Sequence, residues 1–389
     1  MLYNKLNHSI LFVTNFFPDG TFGGIERVTD ILAAHFHLVG IKCYCIYLCD
    51  SKAFQEKEYI SCKYMNMKYD LSFIKEFIIE NGIDIVINQS NPYYTPFLRT
   101  VCNVTNTKLI TCLHNSTECK AQGYIDAITS SNILKGIIVS LFYPLYAKYS
   151  SLKLKKIHRL SLTQSDKTIL LSKSLIDPYL KVLDACCLSN KIDYINNPLS
   201  FGELKDFSFI EKKQKTVLVV SRLYESQKKL SLLFKAWKLV EKANKDWNLI
   251  IVGDGPDQRK YEQITRKLNL ERVLFAGRQD SYKYFQDASI FCMTSIWEGF
   301  PMTLLEAMQM GVVPIVMNSF PAVHDILEDG SDSIIVKYGD VTGMAEKIIE
   351  LMNDEKRLKA MQHCAIRSSA RYKADNIIEH WVELFKLLD

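Results

Sequence analysis

The run Ser295-Ile296-Trp297-Glu298-Gly299-Phe300-Pro301-Met302-Thr303-Leu304-Leu305-Glu306-Ala307-Met308 follows directly on the apolar stretch Ile290 to Met293, and it packs a strand end, a turn and a helix start into one segment. Gly299 lets the backbone pass close to a ligand and Pro301 suits the first helical position, so the N–H groups of Met302 and Thr303 point outward as an anion site. A phosphate belongs there. Glu306, in the second turn, is an acceptor-only carboxylate that can take both hydroxyl hydrogens of a ribose held beside that phosphate. Glu298 stands in the turn itself, near whatever group the phosphate carries. A mere capping or salt-bridging role for Glu306 fits poorly with the apolar residues around it.

A second cluster, Ser221-Arg222-Leu223-Tyr224-Glu225-Ser226-Gln227-Lys228-Lys229, comes straight after the apolar run Thr216 to Val220. Strand ends are where open α/β sheets bind ligands. Arg222 and Lys228 on one loop can clamp a diphosphate and stabilise the negative charge that grows on it as a bond to it breaks. A solvated basic loop is the plainer alternative. Gly23 and Gly24, followed by Glu26, lie in the first strand-to-helix loop and can bring backbone amides to the same diphosphate, although adjacent glycines also serve simple turns. His114 and Asn115 end the strand pattern Lys108 to Leu113, a position from which His114 can touch a ligand. Gly253-Asp254-Gly255-Pro256 reads as a tight turn, and Gly277 with Arg278 as a wall for a nucleotide base.

These residues need two sheets to position them. Over the first half, strand patterns at Ile10 to Thr14, Lys42 to Leu48, Ile83 to Asn88, Lys108 to Leu113, Thr168 to Leu171 and Lys191 to Ile195 alternate with helical ones, as in a doubly wound parallel sheet. The pattern restarts after Asn197 and Pro198 with Thr216 to Val220, Trp247 to Val252, Arg272 to Phe275, Ile290 to Met293, Val313 to Val316 and Ser333 to Val336. Two α/β domains are expected, 1–198 joined by a C-terminal helix at 372–389, and 199–371, with Gly202 to Lys215 as linker. Ile377, Ile378, Trp381, Leu384 and Leu388 give that last helix an apolar docking face.

Bulk properties narrow the function. The chain has 389 residues, 48% hydrophobic and 23% charged, which excludes disordered and fibrous classes. Its net charge of +5 falls entirely before Asn197, with 21 basic against 16 acidic residues there and 27 against 27 afterwards. A mild one-sided excess suits an anionic lipid surface better than a nucleic-acid groove, so no nucleic-acid partner is expected. The eleven cysteines form no CxxC pair and no zinc-like spacing with histidine; packed, reduced thiols in a chain without a secretory leader are expected. Within 133–160, the stretch Ile133 to Tyr149 is apolar but interrupted by Lys135, Gly136 and Pro144, and Lys148, Lys153, Lys155, Lys156 and Arg159 follow. It suits a helix lying in the membrane interface, and a core helix with a solvated tail fits equally well.

Across nearly its whole length the chain resembles the family-4 retaining glycosyltransferases of GT-B fold. The resemblance rests on Gly23-Gly24-Ile25-Glu26-Arg27-Val28, the Ser221-Arg222-Leu223 loop with Lys228, Gly253-Asp254-Gly255-Pro256, and Glu298 and Glu306 separated by seven residues. It implies two Rossmann-like domains facing across a cleft, with the C-terminal helix crossing back to the first. It also implies Arg222 and Lys228 on the donor diphosphate, Glu306 on the ribose, Glu298 at the sugar and His114 beside the reacting centre. Phe300, Met302 and Thr303 then complete the donor site. No metal or other cofactor is implied, in keeping with the absence of an Asp-x-Asp triplet. Lys229, Ser221, Ala322 and Ser333 occupy positions where the family favours glycine.

The expected activity is transfer of a hexosyl or N-acetylhexosaminyl residue from a nucleotide sugar, UDP favoured over GDP, to a lipid-linked or oligosaccharide acceptor. The setting would be lipopolysaccharide O-antigen, capsule or exopolysaccharide synthesis in the cytoplasm, on the inner face of the membrane. A UDP-sugar epimerase of the same fold and a non-catalytic nucleotide-sugar-binding protein are the alternatives. A glycosidase is disfavoured by the placement of Glu298 and Glu306, and an NAD oxidoreductase by the lack of GxGxxG.

Overall fold

The computed structural model describes residues 8–19, 23–49, 57–65, 71–115, 143–204 and 206–388. The chain divides into two compact units, one holding the described residues up to Ser200 together with Tyr372 onward, the other Phe201 to Arg371.

The first unit runs β1 (Ser9–Thr14), α1 (Gly24–Leu38), β2 (Lys42–Tyr47), β3 (Ser61–Tyr64), α2 (Leu71–Glu80), β4 (Ile85–Asn88), α3 (Thr95–Thr105), β5 (Lys108–Leu113), α4 (Tyr143–Gln164), β6 (Lys167–Leu170), α5 (Ile176–Leu183) and β7 (Ile192–Tyr194). The strands form one parallel sheet in the order β3-β2-β1-β4-β5-β6-β7. β1 and β4 are buried along their whole length, as parallel strands covered on both faces must be. The chain reverses its winding between β1 and β4, which makes their carboxyl ends a topological switch point.

In the second unit the order is β8 (Thr216–Val220), α6 (Glu225–Lys228), α7 (Leu230–Ala243), β9 (Asn248–Val252), α8 (Gln258–Lys267), β10 (Val273–Gly277), α9 (Tyr282–Asp287), β11 (Ile290–Met293), α10 (Met302–Gln309), β12 (Val313–Asn318), α11 (Val323–Ile326), β13 (Ile334–Lys337), α12 (Val341–Asn353) and α13 (Glu355–Ser369). Its parallel sheet is ordered β10-β9-β8-β11-β12-β13, with the switch point between β8 and β11. Trp237, Phe234, Leu233 and Val240 of α7 fill the core beneath it.

The final helix, α14 (Ala374–Leu388), belongs to the first unit. It buries Ile377, Ile378, Trp381, Val382, Leu384 and Phe385. Trp381 meets Phe36 of α1 edge-on at 6.3 Å, and Phe385 lies 5.5 Å from the same ring. Each such side chain contributes about 1.5–3 kcal/mol of burial, which is why so amphipathic a helix docks.

One expected segment is more tightly packed than its composition implies, one strand has no counterpart in the sequence pattern, and one segment lies partly outside the described residues. Gly202 to Lys215 is not a free linker. The Gln309 side chain of α10 brackets Phe201, accepting from its N–H at 3.3 Å and donating to its carbonyl at 2.7 Å. Ile210 is buried, and the Lys213 ammonium donates to the carbonyls of Phe285, Gln286 and Ala288 at the end of α9. β3 escaped the strand pattern because Ser61–Tyr64 is a largely exposed edge with no apolar run. The apolar segment of 133–160 falls outside the described residues up to Phe142; from Tyr143 the chain is the helix α4, which turns Lys148, Tyr149, Leu152, Lys153, Lys156, Arg159 and Leu160 to the surface. No described helix is long and apolar enough to cross a membrane.

Candidate active site

At the switch point of the second sheet, the loops after β8 and β11 are stitched together. The Ile296 N–H donates to the Gln227 carbonyl at 2.7 Å, the Gln227 side chain to the Trp297 carbonyl at 3.2 Å, and the Thr294 hydroxyl to the Lys228 carbonyl at 2.8 Å. Across this seam the Lys228 ammonium lies 2.6 Å from the Glu298 carboxylate, their side chains only 16% and 9% exposed. In so dry a pair each charge depends on the other, because neither has enough water to solvate it alone. A recess lined by Ser221, Lys228, Thr294 and Ser295 opens between the two strand ends.

The α6 turn that carries Lys228 is held from both sides. Leu223 donates to the Asp254 carbonyl at 2.6 Å, Asp257 to the Leu223 carbonyl at 3.1 Å, and the Glu225 N–H to the Asp257 carboxylate at 2.8 Å. The Gly-Asp-Gly-Pro turn works by close approach. A Cβ on Gly253 would stand 2.0 Å from the Ser221 carbonyl oxygen, and one on Gly255 2.4 Å from that of Leu223. After Lys228 the chain turns at Lys229, whose φ of 48° explains why glycine is favoured there. Lys229 bears the left-handed conformation with its ammonium 3.9 Å from Glu225, itself accepting from the Ser231 hydroxyl at 2.5 Å.

α10 begins one residue later than expected: Pro301 is its N-cap, with ψ of 115°, and Met302 the first helical residue. Leu304 is the first residue to donate back, to the Pro301 carbonyl at 3.1 Å. The amides of Met302 and Thr303 thus have no intrahelical acceptor and form the positive end of the helix dipole. Phe300 and Met302 are buried and exclude water around them. Glu306 sits in the second turn, 1% exposed. Arg222 is exposed, its guanidinium 5.8 Å over the Tyr224 ring, on the same loop as Lys228. Gly277, with φ of 69°, ends β10 at a register shift and accepts from the Gly253 N–H at 2.8 Å; Arg278 beside it is exposed.

The remaining predicted residues lie in the first unit. Gly23 is extended, with φ of 177°, and precedes α1; Gly24 is its first, exposed residue. Glu26 is buried beneath them. Burial pushes its carboxyl above the ordinary value, opposed by hydrogen bonds from the backbone N–H groups of Glu26 and Phe16. His114 follows β5, with its Nε2 buried in a recess that Gln89, Cys112 and Asn196 also line. Gln89 escaped sequence reading: a single glutamine after a strand has no motif, and only its place one residue beyond β4 could have flagged it. Among the described residues, no three His, Cys, Asp or Glu side chains gather as a metal site.

Residues 200–367 match the family model described as glycosyl transferases group 1. An uncharacterized glycosyltransferase of Haemophilus influenzae is 29% identical over 195 residues, 50% of this chain and 54% of that protein. A Campylobacter jejuni alpha-1,4-N-acetyl-D-galactosaminyltransferase named for an undecaprenol-diphosphate-linked oligosaccharide is 24% identical over 217 residues, 53% of this chain and 60% of that protein. The chain thus spans little more than half the length of these two relatives. Among solved structures, HepE of Anabaena in complex with UDP and glucose superposes with a TM-score of 0.71 at 17% identity, covering 97% of this chain and 99% of that one. That likeness extends over both units and is one of fold.

Proposed function

We propose, from the match of residues 200–367 to the family model described as glycosyl transferases group 1, that the chain is a metal-independent, retaining glycosyltransferase of family 4, moving a hexosyl or N-acetylhexosaminyl residue from a nucleotide sugar, UDP rather than GDP, to a lipid-linked or oligosaccharide acceptor of bacterial surface-polysaccharide synthesis. The observation that carries the proposal is the Lys228 ammonium set 2.6 Å from Glu298 at the switch point between β8 and β11, where an α/β sheet takes its ligand.

In this reading the diphosphate takes the ammonium of Lys228, the guanidinium of Arg222 and the amides of Met302 and Thr303, while Glu306 accepts from the ribose hydroxyls. Phe300 covers the site, and Gly277 with Arg278 flanks the base. The bond between the anomeric carbon and the diphosphate oxygen breaks as the acceptor oxygen arrives on the same face, and the acceptor proton passes to the departing phosphate oxygen. Arg222, Lys228 and the α10 dipole stabilise the charge left on the diphosphate. Glu298 stands at the sugar. The similarity to a transferase whose name specifies an undecaprenol-diphosphate oligosaccharide favours a lipid-linked acceptor. Such an acceptor suits an enzyme resting on the inner leaflet through the cationic face of α4.

A thermal-shift screen of UDP-glucose, UDP-galactose, UDP-N-acetylglucosamine and GDP-mannose tests the proposal, since a ligand at a hundred times its dissociation constant adds about 2.7 kcal/mol. A UDP-sugar should raise the melting temperature of the wild type and not of Lys228→Ala. No shift with any of the four would refute the reading. Conversion of UDP-sugar with no acceptor present would favour an epimerase instead.

A further inference from the structure

A groove within the second unit runs between the helical turn Ser208–Lys212 and α9, and it shares no residue with the candidate active site. Its volume is 480 Å³, inside the roughly 300–1,000 Å³ typical of sites that take small organic ligands. The turn leads into β8 and α9 leads into β11, so the groove lies towards the amino ends of the two strands whose carboxyl ends carry the Lys228 and Glu298 loops. Strands of five and four residues set the two places roughly 15 Å apart.

The walls of the groove are tied together. The Lys213 ammonium, just past the turn, donates to the carbonyls of Phe285, Gln286 and Ala288 at 3.2, 3.2 and 2.7 Å and stands 5.5 Å over the Phe209 ring. A cation on the last carbonyls of a helix is favourable. The Gln214 N–H donates to the Asp287 carbonyl at 2.7 Å, and Asp206 holds the turn by accepting from the Ser208 N–H at 2.8 Å and from its hydroxyl at 2.6 Å. On the far wall Tyr282 packs edge-on against Phe201 with ring centres 5.0 Å apart and stays 37% exposed. A groove fixed in this way takes a ligand with little cost of ordering.

The lining says what kind of ligand. Glu203, Asp206 and Asp287 supply carboxylates, and Lys212 and Lys283 supply ammonium groups, of which Lys283 and Asp287 pair at 2.8 Å. A nucleotide or other anion would meet the carboxylates, and a lipid chain would strip water from the charges and return nothing. An uncharged polyol suits both signs, because its hydroxyls donate to carboxylates and accept from ammonium groups. The Gln286 carboxamide, whose side chain has no hydrogen-bond partner among the described residues, can do both. The C–H face of a sugar ring packs on an exposed aromatic ring such as that of Tyr282.

We infer that this groove is a second, non-catalytic carbohydrate site, which holds a neutral oligosaccharide away from the place of transfer. Its chemistry stands on the second unit alone. Its role, retaining the glycan that the enzyme extends, rests on the glycosyltransferase reading above.

The test titrates full-length wild type, Tyr282→Ala and Gln286→Leu by calorimetry with chitohexaose, maltohexaose and mannohexaose, and separately with UDP. At least one of the oligosaccharides should bind the wild type without any nucleotide, and each variant should lose about tenfold or more of that affinity. Binding of UDP should be the same in all three proteins. Gln286→Leu removes no internal hydrogen bond, so it should melt with the wild type and carries the test if Tyr282→Ala does not fold. No binding of any oligosaccharide to the wild type overturns the inference, as does equal affinity in the wild type and both variants. A loss that extends to UDP also overturns it, since the side chains would then act through the fold. A wild type that binds oligosaccharide through the groove but neither UDP nor any nucleotide sugar would keep the carbohydrate site, sink the glycosyltransferase reading and remove the role in retaining the enzyme's own glycan.

Discussion

The Lys228 ammonium and the Glu298 carboxylate, seventy residues apart in the chain, form a 2.6 Å pair across the seam between the β8 and β11 loops. Each holds the other's charge in a site with little water, so the pair assembles the site as well as equipping it.

Removing one partner leaves a nearly buried charge uncompensated. Lys228→Met should therefore destabilise the protein by about 3 kcal/mol, while Lys228→Met combined with Glu298→Leu should recover most of that loss. Both should abolish nucleotide-sugar binding. Chemical denaturation with ligand titration checks this, and a double variant that still binds would remove Lys228 from the diphosphate site.

The two glycines of the Gly253 to Pro256 turn are needed for contact rather than for flexibility. Gly255→Ala puts a methyl group 2.4 Å from the Leu223 carbonyl oxygen. It should cost about 3 kcal/mol and weaken nucleotide-sugar binding by displacing the Arg222 loop. A melting temperature equal to that of wild type would contradict the close approach.

Lys229 offers the opposite case. Its left-handed φ of 48° costs about 1–2 kcal/mol in a residue with a Cβ, and the exposed half of its pairing with Glu225 returns under 1 kcal/mol. Lys229→Gly is expected to raise stability by about 0.5–1 kcal/mol, read as a shift in denaturation midpoint.

Glu26 makes the β1–α1 loop sensitive to pH. Burial raises its folded value above the ordinary 4.5, so its contribution to stability is fully present below 4.5 and is lost as pH rises through the folded value. Compared with Glu26→Gln, the wild type should lose stability on going from pH 4.5 towards neutrality. Parallel pH profiles for the two proteins would show the carboxyl to be unburdened.

The exposed face of α4 should bind anionic lipid. Reversing Lys153, Lys156 and Arg159 to glutamate removes three exposed cations, each worth about 1 kcal/mol near such a surface. Flotation with phosphatidylglycerol vesicles should show the loss. Lys155 is left intact because it pairs with Asp184 within the fold. Unchanged flotation would refute the surface role.

What the sequence determined by itself was the architecture and the local chemistry of each loop. Buried parallel strands are continuous apolar runs, so β1, β4, β5, β8 and β11 were legible within a residue or two. Strand-end position marked the Arg222, Lys228 and Glu298 loops for the same reason. The tertiary structure decided what depends on partners far along the chain. Lys228 meets Glu298 only because β8 and β11 are neighbours in the sheet, and Gly253 earns its place only against the Ser221 carbonyl. The exposed edge β3 has no apolar pattern to betray it, and Lys213 of the expected linker is tied to the carbonyls of Phe285, Gln286 and Ala288. Gln89 shows the limit most clearly: burial and hydrogen-bond satisfaction belong to the surroundings of a side chain, and no spacing of residue types encodes them.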